Sequence, residues 1–193
     1  MKIIFATNNT HKLNEVQAIL GPEFELATPR MVGITEEIPE EQETIEGNAS
    51  QKAHYIHERT GNNCFADDTG LEVEALGGAP GVHSARYASD GHDFEANNQL
   101  LLRNLDGVGN RCARFRTVIS LILDGKEHLF EGIVEGHIAQ CPSGNEGFGY
   151  DPLFIPEGST KTYAEMSAEE KNALSHRGRA VRKLVEFLHN RSK

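Results

Sequence analysis

Apolar positions along the chain recur at two spacings, one typical of strands and one typical of helices. The run KIIFA at 2–6 predicts a strand, and it is followed by the polar letters TNN. Apolar residues then recur at helical spacing as far as Gly21, which predicts a helix directly after the loop. A second helix is predicted from Thr44 to Gly61, because glycine can adopt the left-handed conformation that ends a helix.

The middle of the chain has the patterns of strands. Residues 64–66 (CFA) predict a short buried strand that ends at DDTG, and residues 71–76 (LEVEAL) alternate as a half-exposed strand does. After an irregular segment and a helix near 95–105, two long alternating runs flank Asp124 and Gly125. This dipeptide favours a tight turn, so the pattern predicts a hairpin that extends the sheet.

The C-terminal part predicts two consecutive helices. Ser167 and Glu170 have the spacing of a capping box for the first helix, and Ser175 can cap the second. His176 and Arg177 are therefore expected in the first turn of the last helix, whose core-facing stripe is Val181, Leu184 and Leu188.

Length and cysteine usage indicate one domain in a reducing compartment. A chain of 193 residues without repeats or linkers can form one core, so we predict a single domain over residues 1–193. The three cysteines are widely spaced and form no paired motif, which favours free thiols and a cytoplasmic location. The apolar run at 2–6 is too short for a signal sequence, and no stretch has the length of a membrane span.

The charge balance restricts the possible partners. Because 29 acidic residues outnumber 19 Lys and Arg, the net charge of −10 disfavours nucleic acid and anionic membranes as partners. A ligand that carries phosphate would therefore need a local cluster of basic groups and helix N-termini, or a divalent cation held by carboxylates.

Two segments are candidates for phosphate and metal chemistry. In TNNTHK, Thr7–Lys12, free backbone N–H groups and polar side chains at a helix start can bind an anion, or Asn and Thr can simply cap the helix. In ADDTG, the adjacent carboxylates of Asp67 and Asp68 suggest Mg²⁺ or a general base, or an Asp-rich turn. One acid of the run Glu36–Glu46 could complete a metal site, with Lys52 nearby in the second helix.

Two further segments suggest recognition of a flat ligand. In EGFGYDPLF, glycines flank Phe148, which could stack on a ring while Asp151 hydrogen-bonds to its edge, or the segment is a loop whose aromatic residues only pack. EEKNALSHR contains three cationic or titratable side chains within seven residues: Lys171, His176 and Arg177. They could bind a ligand, or they could remain solvated beside two capped helices.

Taken together, these segments resemble the inosine triphosphate pyrophosphatase family, which hydrolyses nonstandard purine nucleoside triphosphates. The motifs TNNTHK, ADDTGLEVEALGGAPGVHSARYA, GFGYDPLF and EEKNALSHR occur in the order and spacing of that family. The resemblance implies an α/β fold with a long mixed sheet, helices in two lobes and a nucleotide cleft between the lobes. It also implies a homodimer, Mg²⁺ as the cofactor, and hydrolysis of ITP, dITP or XTP to the monophosphate and pyrophosphate.

The resemblance also assigns residues. It implies Asp68 as the catalytic acid and metal ligand, and Glu40 as a second metal ligand. Thr69, which follows Asp68 and stands where serine is more usual, would bind the substrate. The triphosphate would be bound by Thr7, Asn8, Asn9, Thr10, His11, Lys12 and Lys52. The base would be bound by Phe148, Gly149, Tyr150, Asp151, Lys171, His176 and Arg177.

One residue departs from the family pattern, and two other functions are compatible with parts of the sequence. Gly47 stands where many relatives carry glutamate, so the second helix lacks the acid of a capping box begun at Thr44. Maf-like pyrophosphatases of other nucleotides would share the reaction without FGYD and SHR. A purine nucleotide-binding module without turnover would have no need of the paired aspartates.

Overall fold

The computed structural model describes residues 2–191 and has an α/β fold. The described strands are β1 (Lys2–Phe5), β2 (Glu25–Ala27), β3 (Cys64–Val73), β4 (Cys112–Leu123), β5 (Lys126–Ile138) and β6 (Phe154–Pro156). The described helices are α1 (Thr10–Leu20), α2 (Ile45–Thr60), α3 (Phe94–Asn104), α4 (Ala168–Leu174) and α5 (His176–Arg191). Short 3₁₀ turns lie at Arg30–Val32, Glu74–Leu76, Gly81–Arg86 and Tyr163–Glu165.

The strands form one mixed sheet in the order β2-β1-β3-β4-β5-β6. β1 runs parallel to β2 and β3, whereas β6 runs antiparallel to β5. The predicted hairpin is confirmed, because only Asp124 and Gly125 separate β4 from β5, and both have positive φ, of 51° and 74°. The long mixed sheet implied by the family resemblance is also confirmed.

The predicted break at DDTG is wrong. β3 is one continuous strand of ten residues that runs through Asp67, Asp68 and Gly70. Asp and Gly favour turns because Asp bonds to nearby backbone and Gly tolerates unusual φ, but here the aspartates have partners distant in sequence. The two three-residue strands β2 and β6 were not predicted, since three residues carry too little periodicity.

The predicted helix ends agree well with the structure. Thr44 is the N-cap of α2, and Gly61 ends it in the left-handed conformation. The capping box at Ser167 and Glu170 is present at the start of α4. None of the helices within residues 2–191 has both the length and the apolar composition needed to cross a membrane.

The described residues form two compact units. Within residues 2–191, the first unit comprises residues 2–68, 117–132 and 177–191, and the second comprises Thr69–Arg116 and Ile133–His176. In the first unit, the rings of Phe5 and Phe65 stack with centroids 4.6 Å apart. The predicted stripe of α5 packs into the same core, as its buried residues Val181, Leu184 and Leu188 show.

The core of the second unit is rich in aromatic rings. Phe115 contacts the ring of Phe154 edge to face, at 4.8 Å between centroids, and it stacks on His176 at 4.5 Å. Tyr163 packs against the same group, and α3 contributes Leu101. This core positions the loop that joins β5 to β6, and the GFGYD segment, residues 147–151, lies in that loop.

Candidate active site

In the loop between β1 and α1, side chains accept hydrogen bonds from nearby backbone N–H groups, and the first residues of α1 are exposed to solvent. Asn9 is the N-cap of α1, and its Oδ1 accepts from the backbone N–H of Lys12 at 3.1 Å. The hydroxyl of Thr7 accepts from the backbone N–H of Asn9 at 3.1 Å. The capping interpretation of this segment is therefore confirmed for Asn9. Asn8, Thr10 and His11 are exposed.

Asp67 is buried and paired with two cations. Lys12 Nζ donates to Asp67 Oδ1 at 3.0 Å, and Arg177 Nε donates to Asp67 Oδ2 at 3.0 Å. Arg177 Nη1 also donates to Glu15 Oε2 at 2.5 Å. Burial by itself raises the pKa of Asp67, but Lys12, Arg177 and Lys52 together outweigh it and hold the pKa well below its usual range. Asp67 is therefore a fixed negative charge.

Asp68, the next residue, has a different environment. It is 8% exposed, and its closest charged partner is Lys52, whose Nζ lies 3.7 Å from Asp68 Oδ1. Its Oδ2 is buried and has no hydrogen-bond partner among residues 2–191. Burial raises the pKa of Asp68, and Lys52 and Lys12 only partly offset that effect. Of the two carboxylates, Asp68 is thus the one that can gain and lose a proton or accept a further cation.

Strand geometry explains why the two neighbours differ. Successive side chains of a strand alternate in direction, so an unbroken β3 gives Asp67 and Asp68 different nearest cations, although Lys12 and Lys52 act on both. The sequence indicated that adjacent like charges are costly, and the structure offsets this cost with Lys12, Lys52 and Arg177.

Glu40 is the acid of the run Glu36–Glu46 that joins this cluster. Lys52 Nζ donates to Glu40 Oε1. Burial raises the pKa of Glu40, but Lys52 outweighs burial and the net shift is downward. The same carboxylates raise the pKa of Lys52 despite its burial, so this lysine stays protonated. By contrast, Glu36 accepts from the hydroxyl of Tyr55 at 3.0 Å and lies outside the cluster.

Two side chains of α2 hold the segment before it, residues 36–44, against the helix. This segment carries Glu40 and is called the acidic loop below. Asn48 Oδ1 accepts from the backbone N–H of Gln42 at 2.8 Å, and Gln51 Oε1 accepts from that of Glu41 at 2.9 Å. The loop also packs closely on Gly47, where a Cβ atom would lie 2.8 Å from Gln42 Cβ. This loop conformation therefore requires a glycine at position 47, and Thr44 caps the helix.

The carboxylates of Asp68 and Glu40 suit one divalent cation. Within residues 2–191, no three His, Cys, Asp or Glu side chains gather into a metal-binding group. Mg²⁺, however, is commonly held by one or two carboxylates, with substrate phosphates and water as its other ligands. The buried, unpartnered oxygen of Asp68 is the kind of donor that such an ion needs. The donor set therefore fits Mg²⁺ bound together with a phosphate ligand.

The second unit builds a separate site around Phe148. Asp151 Oδ2 accepts from the backbone N–H of Phe148 at 3.0 Å and from Lys171 Nζ at 2.6 Å. The Lys171 ammonium lies 5.0 Å from the centre of the Phe148 ring, within the range of a cation–π contact. Asp151 and Lys171 are both buried, whereas Phe148 is half-buried. The ring and the ammonium are thus held as one preorganised group.

Gly147 has a definite role in this site. Its φ is +73°, and a Cβ atom would lie 2.0 Å from Asp151 Oδ2. A glycine is required here so that the Asp151 carboxylate can reach the backbone N–H of Phe148. The side chain of Tyr150 lies in the core, where its hydroxyl donates to the carbonyl of Ser84 at 2.7 Å. Tyr150 therefore supports the loop from the core.

The structure separates the predicted site residues by unit. The first unit brings together Lys12, Glu40, Lys52, Asp68 and Arg177. The second unit brings together Phe148, Gly149, Tyr150, Asp151 and Lys171. Within the second unit, Thr69 is half-buried on β3 and His176 stacks on Phe115.

Sequence reasoning missed three residues that support the charged groups of the first unit, here called the first-unit cluster (Lys12, Glu40, Lys52, Asp67, Asp68 and Arg177). Glu15 lies one helical turn after Lys12, and this i,i+3 spacing was the available signal for a charged pair on one face. Asn48 and Gln51 contact the acidic loop and leave no comparable signal, because helical asparagine and glutamine are usually solvated.

Comparison with known proteins identifies the family of the chain. The sequence profile of the Ham1 family matches residues 3–187. A protein of Porphyromonas gingivalis named dITP/XTP pyrophosphatase is 55% identical over 97% of both chains. The dITP/XTP pyrophosphatase of Flavobacterium psychrophilum is 49% identical over 98% of this chain and 100% of its own.

Solved structures show the same fold. A HAM1 protein from Coxiella burnetii is 36% identical and superimposes with a TM-score of 0.90 over 98% of this chain and 99% of its own. The Ham1 protein of Staphylococcus aureus is 37% identical, with a TM-score of 0.89 over 99% of this chain and 100% of its own. The resemblance seen in the sequence motifs is thereby confirmed, and the chain belongs to the Ham1 family.

Proposed function

We propose that this protein is a nucleoside triphosphate pyrophosphatase that hydrolyses ITP, dITP and XTP to the monophosphate and pyrophosphate. The family membership and the names of its relatives support this activity. The observation that carries it is Asp68, a buried carboxylate with a raised pKa and an unpartnered oxygen, beside two lysines. Such a group is suited to accept a proton from water next to a highly charged ligand.

The first-unit cluster is the proposed triphosphate site. Lys12, the start of α1 and the donors of Thr7, Asn8, Asn9, Thr10 and His11 would bind phosphate oxygens, with Lys52 adding a charge near Asp68. Asp67 keeps Lys12 and Arg177 in place and neutralises part of their charge. The cations would thus be preorganised where negative charge develops on the transferring group.

Asp68 and Glu40 are the proposed ligands of Mg²⁺. When bound, the ion would neutralise phosphate charge that an acidic protein cannot otherwise accommodate. Lys52, which contacts both carboxylates, would offset part of the repulsion between them. Asp68 would orient the attacking water and accept its proton at the carboxylate, whose raised pKa makes it a better base than Asp67.

The second-unit site is proposed to recognise the base. Phe148 would stack on the purine, and the ammonium of Lys171 would donate to an oxygen at position 6. Asp151 fixes that ammonium and the backbone of Phe148. The 6-amino group of adenine would leave a buried donor unpaired, which costs about 1–3 kcal/mol, so ITP should be preferred over ATP by about tenfold or more.

A nucleotide panel with pyrophosphate detection, with and without Mg²⁺, tests the proposal. We expect Mg²⁺-dependent release of pyrophosphate from ITP, dITP and XTP, and at least tenfold lower kcat/KM for ATP. Preference for a pyrimidine nucleotide would favour a Maf-like activity instead. Binding of ITP without any turnover would favour a nucleotide-binding module.

The position of water attack tests the assigned geometry. We propose attack at the phosphorus nearest the sugar by a water that Asp68 activates, with pyrophosphate as the leaving group; the position of Asp68 beside Lys52 of the proposed triphosphate site supports this role. Hydrolysis in ¹⁸O-labelled water should then place the label in inosine monophosphate. Label in pyrophosphate would indicate attack at the β phosphorus, and release of orthophosphate would indicate attack at the γ phosphorus. Either result contradicts the proposed role of Asp68.

The working form of the protein is part of the same proposal. The family resemblance supports a homodimer, a cytoplasmic location and residues 1–193 acting as one functional domain. Size-exclusion chromatography with light scattering tests the dimer, and a single cooperative unfolding transition would support one domain.

A further inference from the structure

Helix α3 contacts the loop of the proposed base site, residues 147–151, through two residues on one face of the helix. The Phe94 and Phe148 rings are tilted by 47° with their centroids 6.0 Å apart, within the range of aromatic pairs. One turn later, Asn98 Nδ2 donates to the carbonyl of Gly149 at 2.9 Å. Residues four apart lie on the same helical face, so Phe94 and Asn98 contact consecutive residues of the loop together.

Neither residue is explained by the core. Phe94 is 36% exposed, so its ring is placed against Phe148 rather than buried in the hydrophobic cluster of this unit. Asp93 caps α3 by accepting from Ala96 at 3.0 Å, which fixes the helix start that carries Phe94. Asn98 Oδ1 is inaccessible to solvent and has no hydrogen-bond partner among residues 2–191. The Nδ2 atom of this half-buried side chain does have a partner, the carbonyl of Gly149, so the hydrogen bond of Asn98 is directed at the loop.

The loop needs such external support. Gly147 and Gly149 both have positive φ, and glycines lose more conformational entropy on ordering than other residues do. Asp151 fixes the loop from within by accepting from the backbone N–H of Phe148. Asn98 fixes the carbonyl of the next residue from outside, and Phe94 restricts the orientation of the Phe148 ring.

We propose that Phe94 and Asn98 are positioning residues for base recognition, acting through Phe148 and Gly149. This inference rests on the proposed function, in which the purine stacks on Phe148. A ring held in one orientation stacks equally well on the base in the ground state and in the transition state. Loss of either residue should therefore raise KM and leave kcat nearly unchanged.

The first experiment measures ITP kinetics of Phe94→Ala and Asn98→Ala. An aromatic pair or a neutral hydrogen bond contributes about 1 kcal/mol, so KM should rise about three- to tenfold in each variant. Phe94→Tyr keeps the ring and should keep the wild-type KM. Gln99→Ala is the matched control, since Gln99 is an exposed α3 residue that contacts Glu95. Melting temperatures should show that all variants are folded.

A second measurement separates the base from the phosphates. Inorganic tripolyphosphate resembles the triphosphate and has no base, so its inhibition constant should be unchanged in Phe94→Ala and Asn98→Ala. Calorimetric titration with inosine monophosphate, which needs no turnover, should show about three- to tenfold weaker binding in both variants.

The outcomes distinguish the two proposals. If the wild type fails to hydrolyse ITP, the proposed function is wrong, and the titration with inosine monophosphate still tests the positioning role. If the wild type hydrolyses ITP while both variants bind inosine monophosphate as it does, the positioning role is overturned. An equal loss of tripolyphosphate inhibition would likewise overturn it, because the substitutions would then act on the whole site. Failure of the wild type to bind inosine monophosphate would overturn the assignment of the base site to Phe148, and the positioning role with it, whereas the proposed activity is judged by hydrolysis of ITP.

Discussion

The two candidate sites handle buried charge in opposite ways. In the first unit, the carboxylate of Asp67 is shared by two cations and the ammonium of Lys52 is shared by two carboxylates. The cations are Lys12 and Arg177, and the carboxylates are Glu40 and Asp68. In the second unit, one buried pair, Asp151 with Lys171, is placed beside the ring of Phe148. The first arrangement is a network in which charged groups share partners, whereas the second sets a buried ion pair against an aromatic ring.

The difference suits the functions proposed for the two sites, which are phosphate binding and base recognition. A triphosphate changes its charge distribution during hydrolysis, and a network of lysine and arginine can stabilise that change. A purine base keeps its charge throughout, so its site needs shape and a few fixed donors. Substitutions in the first unit should therefore change kcat or stability, and those in the second unit should mainly change KM.

The largest effect is expected for Asp68→Asn. An amide still accepts a hydrogen bond but cannot take a proton from water, so kcat for ITP should fall by at least about a hundredfold. Nucleotide affinity should stay within about tenfold of the wild type. Single-turnover kinetics together with binding titrations measure both values. If the variant keeps more than about a tenth of the wild-type kcat, Asp68 is not the base.

The next largest effect is a loss of stability, and it is expected on substitution of Asp67, the neighbour of Asp68. Asp67→Asn leaves Lys12 and Arg177 without their shared carboxylate and should destabilise the protein by about 3 kcal/mol in urea unfolding at neutral pH. Asp68→Asn should be neutral or slightly stabilising there, since burial disfavours the charged form of Asp68. Equal destabilisation by both substitutions would contradict the different roles assigned to these neighbours.

The pH dependence sharpens the same contrast. The folded-state pKa of Asp67 is depressed, so its contribution to stability is present above its ordinary pKa, near 4, and is lost as the pH falls through the folded value. The folded-state pKa of Asp68 is raised, so its contribution is present below the ordinary value and is lost as the pH rises through the folded one. The stability gap between the wild type and Asp67→Asn should therefore shrink below about pH 4.

A smaller effect is expected at the ring of the second unit. Phe148→Ala should raise KM for ITP by about tenfold with little change in kcat, because base stacking contributes about 1–3 kcal/mol in the ground and transition states alike. Phe148→Tyr keeps the ring and serves as the control. An unchanged KM in Phe148→Ala would place base recognition elsewhere.

Much of the fold follows from local signals in the sequence. The first strand and helix, the hairpin at Asp124 and Gly125, and the capping box at Ser167 each depend on neighbours within a few residues. The course of β3 could not be predicted in this way. Its aspartates favour a turn locally, and only partners from distant segments, such as Lys12 and Arg177, allow them to lie in a strand.

The candidate site was predictable in its residue types and less so in its geometry. The motifs identified Asp67 and Asp68 as a pair, but the opposite shifts of their pKa values depend on burial and on cations distant in sequence. Phe94 and Asn98 had no sequence signal, because each acquires its role through a loop about 50 residues away, as the separation of 51 between Asn98 and Gly149 shows.

The smallest effect tests how the acidic loop is held in the first unit. Gly47→Ala should favour α2 intrinsically by up to about 1 kcal/mol, since glycine is a poor helix former. Its new Cβ, however, would lie 2.8 Å from Gln42 Cβ and 2.9 Å from Thr44 Oγ1, so the loop that carries Glu40 must shift. The two effects oppose each other, and the melting temperature should change by only a few degrees.

The displaced loop should still have a measurable consequence. If Glu40 is a metal ligand, Gly47→Ala should raise the Mg²⁺ concentration needed for half-maximal activity. Asn48→Ala, which removes the hydrogen bond to the backbone of Gln42, should act in the same direction. Ser50→Ala, in the same helix, provides a control for changes in α2 alone. An unchanged Mg²⁺ requirement in both variants would show that the position of Glu40 does not control metal binding, and the first-unit cluster would then depend on Asp68 alone for its carboxylate ligand.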